Sequence, residues 1–192
     1  MGIEFELKYR ATPEILTAVA AEIVGENCRY KMATTYYDTP DRALSRRHCT
    51  LRRRMENETS VCTLKMPAPA GSRAEFEVER ENILLAVPEL CKLSEFHSLM
   101  SLAPNLTEIC GARFDRLAIT VHLRDCTLEL ALDEGVLLGA GKEIPLCELE
   151  VELKSGSREA AKAYARALAL RYGLTPEPQS KFSRASALTG GI

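Results

Sequence analysis

The chain has 192 residues, 46% of them hydrophobic, which is enough apolar material for one sizeable core or two small ones. A formal charge of −2 argues against a general nucleic-acid binder, and no apolar run approaches the ~20 residues of a membrane helix. Its 7 cysteines include no CxxC pair, which argues against a disulfide framework or a zinc site. They read as small apolar fillers, and with no signal-like N-terminal stretch a cytoplasmic protein is expected.

The first segment reads as a strand. Ile3, Phe5, Leu7 and Tyr9 fall on one face and Glu4, Glu6, Lys8 and Arg10 on the other. Thr12 is placed to cap a helix with Pro13 in its first turn, and Ile15, Leu16, Val19, Ala20 and Ile23 recur at helical spacing. Residues 28–38 look extended, and Thr39-Pro40-Asp41 forms a turn. Strands follow over 49–55, 59–66 and 73–81, with a loop at 67–71. A helix is predicted over 88–102, starting near Pro88. Three more strands are predicted over 114–124, 126–133 and 146–154, with Glu134-Gly135 as a turn. Ser157 caps a helix over 158–172, and residues 180–188 form a short last helix. No linker is long enough to separate one domain from another, so a single domain over residues 1–192 is expected, with its core at about 3–188.

At least six of these strands have one apolar and one charged face. Two arrangements fit: a sheet with its charged face in water, or strands closed into a barrel with the charges inside. Crowding of like charge bears on the choice. Glu148, Glu150 and Glu152 stack on one face, which is unfavourable unless something cationic offsets it. In a barrel, clustered carboxylates suit a hard divalent cation, and clustered Arg and Lys suit phosphate oxygens.

Glu4-Phe5-Glu6-Leu7-Lys8 matches the ExExK signature of the CYTH superfamily, the triphosphate tunnel metalloenzymes. In the same order, Tyr37-Asp38-Thr39-Pro40 with Leu44, Leu51-Arg52-Arg53-Arg54, Thr63-Leu64-Lys65, and Arg73 with Glu75 and Glu77 resemble further segments of that family. So do Glu129 to Gly135, Glu148 to Gly156, and Ser180-Lys181 with Arg184. The later segments are most similar to bacterial inorganic triphosphatases, which often carry a C-terminal CHAD domain; none is expected within these 192 residues. The resemblance implies an α+β fold: an eight-stranded antiparallel β-barrel tunnel with a charged interior and helices packed outside.

The resemblance also implies a divalent-metal-dependent hydrolase of inorganic triphosphate, using Mg²⁺ or Mn²⁺. Glu4, Glu6, Glu150 and Glu152 would hold the metal, with Glu129, Asp133 and Glu148 as further candidates. Lys8, Arg52, Arg54, Lys65, Arg73 and Arg116 would bind the phosphates, and Lys181 and Arg184 would reach the tunnel mouth. Loss of activity is expected first at Glu4, Glu6, Lys8, Arg54 and Lys65. Strand parity favours Arg116 over Arg113. Arg124 and Lys154 are expected in solvent, and His48, His97 and His122 are expected to be structural or surface residues rather than catalytic ones. No aromatic residue is clearly assigned to a charged face, which favours a small inorganic substrate. Thiamine triphosphate, nucleoside triphosphates, adenylate cyclisation and a non-catalytic polyphosphate or nucleotide sensor stay open. The expected partner is a small-molecule triphosphate, with no nucleic acid and no membrane, for a monomer or homodimer.

Overall fold

The computed structural model describes residues 2–3, 5–69 and 73–190. Glu4, predicted on the charged face of the first strand, lies outside the described residues. The strands are β1 (Gly2–Ile3), β2 (Glu6–Arg10), β3 (Glu26–Asp38), β4 (Thr50–Glu56), β5 (Thr59–Pro67) and β6 (Arg73–Glu79), then β7 (Thr107–His122), β8 (Cys126–Gly139), β9 (Lys142–Gly156) and β10 (Thr175–Pro176). The helices are α1 (Pro13–Glu22), α2 (Ile83–Ser94), α3 (Ser98–Leu102), α4 (Arg158–Tyr172) and α5 (Lys181–Ala187).

The hydrogen-bonded strand order is β1-β6-β5-β4-β3-β7-β8-β9-β2-β10, and the pairings are antiparallel. β1 and β2 are neighbours in the chain, yet β1 pairs with β6 at one end of this order and β2 pairs with β9 near the other. The sheet therefore curls round, and its two ends meet at the opening segment. The seam is less regular than the evenly laddered eight-stranded barrel expected. β1 has 2 residues and β2 has 5, and β10 adds to the outer edge of β2.

The curled sheet turns its charges inward. Outward-facing Tyr9, Leu128, Leu130, Leu132, Leu149 and Val151 pack with Leu16 and Val19 of α1 and Ala161, Ala165 and Leu168 of α4. Leu51, Cys62, Leu64 and Val78 pack beneath Ile83, Ala86, Val87 and Leu90 of α2 and Leu99 of α3. Full burial of each such aliphatic side chain contributes about 1.5–3 kcal/mol, so the apolar faces must be covered and the helices lie outside. A third cluster, with Met32, Tyr36, Ala112, Phe114, Leu137 and Leu146, fills one end of the lumen, where α5 packs through Ala185 and Phe182. Between β3 and β4, buried Asp38 organises the connection. Its carboxylate accepts from the backbone of Thr39 (2.8 Å), Leu44 (2.9 Å) and Ser45 (3.0 Å), and from the Ser45 hydroxyl at 2.6 Å.

Two expectations change. α2 starts at Ile83 rather than near Pro88, because the Asn82 side chain accepts from Leu85 N and caps the helix. Pro88 sits inside it and is exposed, so the carbonyl it leaves unpaired is near water. Glu134-Gly135 is not a turn. β8 runs on to Gly139, and the hairpin bends at Ala140 and Gly141, both at positive φ (50° and 74°). Gly135 is needed for close approach instead: a Cβ there would fall 2.2 Å from the Arg113 carbonyl oxygen. Among the described residues no helix is long and apolar enough to cross a membrane.

Candidate active site

Strand parity delivers one set of side chains to the lumen, around a cavity of about 640 Å³. Following the strand order, its wall has three sectors. On β4, β5 and β6 stand Arg52, Arg54, Lys65 and Arg73. On β3 and the adjoining stretch of β7 stand Tyr30, Met32, Thr34, Tyr36 and Phe114. On β8, β9 and β2 stand Glu129, Glu150, Glu152, Glu6 and Lys8.

In the basic sector Arg52, Lys65 and Arg54 are each near a carboxylate. Arg52 lies 3.4 Å from Glu75 and 3.8 Å from Glu77, and Lys65 lies 3.2 Å from Glu75. Arg54 pairs with Glu56 and is 3.9 Å from Glu77. Burial and the neighbouring Arg52 charge lower the Arg54 pKa against the pull of those acids. Arg73 is more exposed and donates to the carbonyl oxygens of His48 (3.0 Å) and Lys65 (3.3 Å).

The acidic sector divides in two. Asp133, Glu148 and Glu150 bring oxygens within 4.8 Å of one another, and cations already bind them. Arg116 grips Asp133 with two bonds of 2.6 Å and reaches Glu150 at 2.8 Å. Lys181 lies 2.7 Å from Asp133 and 3.0 Å from Glu150, and it pairs with Glu148. Arg184 takes the other oxygen of Glu148. Burial opposes the Glu150 charge, but Lys181 and Arg116 outweigh it and hold this carboxyl well below the usual range. Burial likewise disfavours charge on Lys181, yet Glu150, Asp133 and Glu148 raise its pKa.

The second group is a row. Glu6 lies opposite Glu152 in the β2–β9 register, and Glu129 lies opposite Glu152 in the β8–β9 register. Their side chains are 29%, 27% and 24% exposed in the order Glu6, Glu152, Glu129, whereas Asp133 and Glu148 are 0% exposed. Lys8 bonds Glu6 at 2.9 Å, and Lys154 bonds Glu152 at 2.9 Å and lies 3.5 Å from Glu129. Hard oxygen donors on three adjoining strands, open to the cavity, fit a Mg²⁺- or Mn²⁺-type cation.

The fold thus brings Glu6, Lys8, Arg52, Arg54, Lys65, Arg73, Arg116, Glu129, Glu150, Glu152 and Lys181 to one cavity. Asp133 and Glu148 lie behind that wall, each paired with Lys181, and Arg184 lies there paired with Glu148. Arg113 is exposed and pairs with Glu143 at 2.6 Å. Lys154 is exposed, as expected, and also lines the cavity, sharing the parity of Glu150 and Glu152. The aromatic expectation is corrected, because Tyr30, Tyr36, Phe114 and Phe182 all line the cavity. In the middle of β3 the charges Arg29 and Lys31 have the opposite parity to Tyr30, Met32, Thr34 and Tyr36, and so gave no charged parity to follow. Phe114 did share the parity of Arg116.

The CYTH domain is matched over residues 2–186. The chain belongs to the CYTH family. It is 31% identical over 165 residues to an inorganic triphosphatase of Haemophilus influenzae, a match that covers 80% of this chain and 46% of that one. The matched region of this CYTH chain therefore spans about half the length of that relative. Among solved structures, a Hippeastrum protein studied as an adenylyl cyclase, with a dominant triphosphatase activity, superposes with a TM-score of 0.69 at 19% identity. That match covers 99% of this chain and 97% of the other. The PH1819 protein of Pyrococcus horikoshii superposes with a TM-score of 0.62 at 21% identity, covering 94% and 97%. Both share the CYTH fold.

Proposed function

We propose that this CYTH domain hydrolyses inorganic triphosphate to pyrophosphate and phosphate, with Mg²⁺ or Mn²⁺ as the metal. The observation that carries the reading is the shared cavity of a basic sector on β4–β6 and a carboxylate row on β8, β9 and β2. A bare anion site has no use for the carboxylate row, and a bare metal site has no use for the basic sector. The similarity to an inorganic triphosphatase supports the same substrate.

Glu6, Glu129 and Glu152 would hold the metal, with Glu4 expected beside them and Glu150 next along β9. A bound divalent ion supplies charge neutralisation of the phosphate oxygens and lowers the pKa of a coordinated water. Arg52, Arg54 and Lys65 bind the phosphate chain together with Arg73, the first three exchanging their contacts to Glu56, Glu75 and Glu77 for substrate oxygens. Lys8, Arg116 and Lys181 reach the chain from the acidic side. A cavity-facing glutamate orients the water that attacks the terminal phosphorus, the P–O–P bond breaks, and pyrophosphate leaves. The same reading expects a cytoplasmic enzyme.

The test is phosphate release from tripolyphosphate, ATP and thiamine triphosphate, each with Mg²⁺, Mn²⁺ or EDTA. Turnover of tripolyphosphate is expected with metal and is abolished by EDTA. Glu152→Gln and Lys65→Ala should each lose at least 100-fold in kcat/KM with an unchanged circular dichroism spectrum. Binding without turnover under every condition would instead make the protein a sensor. One observation favours a second reading. The neutral wall of Tyr30, Met32, Tyr36, Phe114 and Phe182 offers apolar surface to an organic group on the triphosphate. A kcat/KM for ATP or thiamine triphosphate above that for tripolyphosphate would select it.

A further inference from the structure

Among the lumenal carboxylates Glu148 stands apart. It is fully buried on β9, and each of its oxygens is taken by a different cation of one helix, Lys181 on Oε1 and Arg184 on Oε2. No other element supplies Glu148 with a cationic bond partner among the described residues. Both partners lie on α5, one helical turn apart at i and i+3, so a single carboxylate clasps one face of that helix. The remaining contacts of α5 reinforce the clasp. Ala185 is fully buried, and the Phe182 ring lies 5.1 Å from Tyr36 at a tilt of 55°. The second guanidinium nitrogen of Arg184 lies 3.6 Å from Glu177, whose carboxylate is itself fixed by Arg10 at 2.7 Å. Ser180, Lys181, Phe182 and Ser183 line the cavity, so the seating of α5 determines where the Lys181 ammonium stands.

We propose that Glu148 is a positioning residue: it anchors α5 in the end of the lumen and fixes Lys181 against Asp133 and Glu150, and it is not one of the carboxylates that hold the metal. The residue type follows from the geometry. Two cations on one helix face need two acceptor oxygens from a single point, and a carboxylate on the adjoining strand supplies them. Its two oxygens are then committed, and its burial keeps it behind Lys181 as seen from the cavity. The three glutamates that alternate along β9 therefore divide by depth. Glu152 faces the open row, Glu150 shares Arg116 and Lys181, and Glu148 serves the helix. The exclusion of Glu148 from metal binding rests on the functional reading above, whereas the anchor does not.

The test is amide hydrogen exchange of the full chain, followed on peptides covering residues 181–188. Glu148→Gln should speed exchange there at least tenfold and leave β4–β6 within twofold of the wild type. Arg184→Gln, which removes the clasp from the helix side, should do the same, and the double variant should add less than twofold more. Calorimetric titration with Mn²⁺ should give Glu148→Gln a Kd within threefold of the wild type, where Glu152→Gln weakens it at least tenfold. With tripolyphosphate, Glu148→Gln should raise KM at least fivefold with kcat within threefold, and Glu148→Asp should recover some of that loss. Exchange in α5 within twofold of the wild type in both single variants overturns the anchor. A loss of Mn²⁺ affinity in Glu148→Gln equal to that in Glu152→Gln overturns the exclusion from the metal site. If the wild type neither binds Mn²⁺ nor turns over tripolyphosphate, the proposed function falls while the exchange comparison still decides the anchor. If Glu148→Gln does not fold, Arg184→Gln carries the exchange measurement alone.

Discussion

Replacing Arg116 by Met should cost about 3 kcal/mol of folding stability. Met keeps much of the aliphatic reach of the side chain and removes only the guanidinium. That group makes two bonds of 2.6 Å to Asp133 and one of 2.8 Å to Glu150. Asp133 is 0% exposed, so it has no water to fall back on. Breaking a buried pair by removing one partner typically costs about 3–5 kcal/mol, because a charge is left uncompensated. Here Lys181 stays within 2.7 Å of Asp133, which places the expected loss at the lower end. A domain of this size has roughly 5–15 kcal/mol in total, so the variant should fold but melt about 6–12 °C lower. Urea unfolding followed by circular dichroism gives the free energy, with matched m-values as the control. Asp133→Asn supplies the other corner of a double-mutant cycle, and the pair should couple by at least about 1 kcal/mol. A loss below about 1 kcal/mol at unchanged m, or additive single variants, would refute the view that Arg116 compensates the buried charge of Asp133.

Asp38→Ala should destabilise the protein by about 3 kcal/mol in urea, because it strands the buried backbone N–H groups it satisfies; a loss under about 1 kcal/mol would show that water replaces it. Gly135→Ala should cost at least about 2 kcal/mol, since its Cβ would meet the Arg113 carbonyl at 2.2 Å. Wild-type stability there would restore the reading of this glycine as an exposed turn residue. Stability should also fall on acidification. The folded Glu150 carboxyl lies below its unfolded value of about 4.3, so the unfolded chain takes up more protons near that pH. The stabilisation it gives is complete above the unfolded value and is lost as the pH drops toward the folded one. Glu150→Gln should flatten this slope between about pH 5 and pH 3, and an identical slope would assign it to other groups. Tyr30→Ala should change the ATP-to-tripolyphosphate ratio of kcat/KM by at least threefold if the neutral wall contacts an organic group. A ratio within twofold of the wild type would leave that wall a spacer.

Much of the site was legible in the chain because strand parity is a local property. Glu6 and Lys8, Arg52 and Arg54, and Glu150 and Glu152 alternate with apolar residues, and the period of two alone puts each set on one face. The crowding of like charge along β9 pointed to that face turning toward opposite charge rather than toward water. β3 was not legible in this way, since its cavity stretch carries Tyr30, Met32, Thr34 and Tyr36, while the neighbouring charges Arg29 and Lys31 have the opposite parity. Nor was Gly135, whose requirement comes from a neighbouring strand and not from its own sequence context.

What the chain by itself determined is which side chains share a face, and hence that carboxylates and basic groups are presented in sets. The tertiary structure decided whom each charge meets. Glu6, Glu129 and Glu152 become one row only through the β2–β9 and β8–β9 registers, the first of which joins segments more than a hundred residues apart. Glu148, identical in residue type and parity to Glu150 and Glu152, is set apart only because α5 docks beside it with Lys181 and Arg184. Parity depends on the backbone geometry of a few adjacent residues. Partnership depends on register and helix docking, which arise only when distant segments bury their apolar faces together.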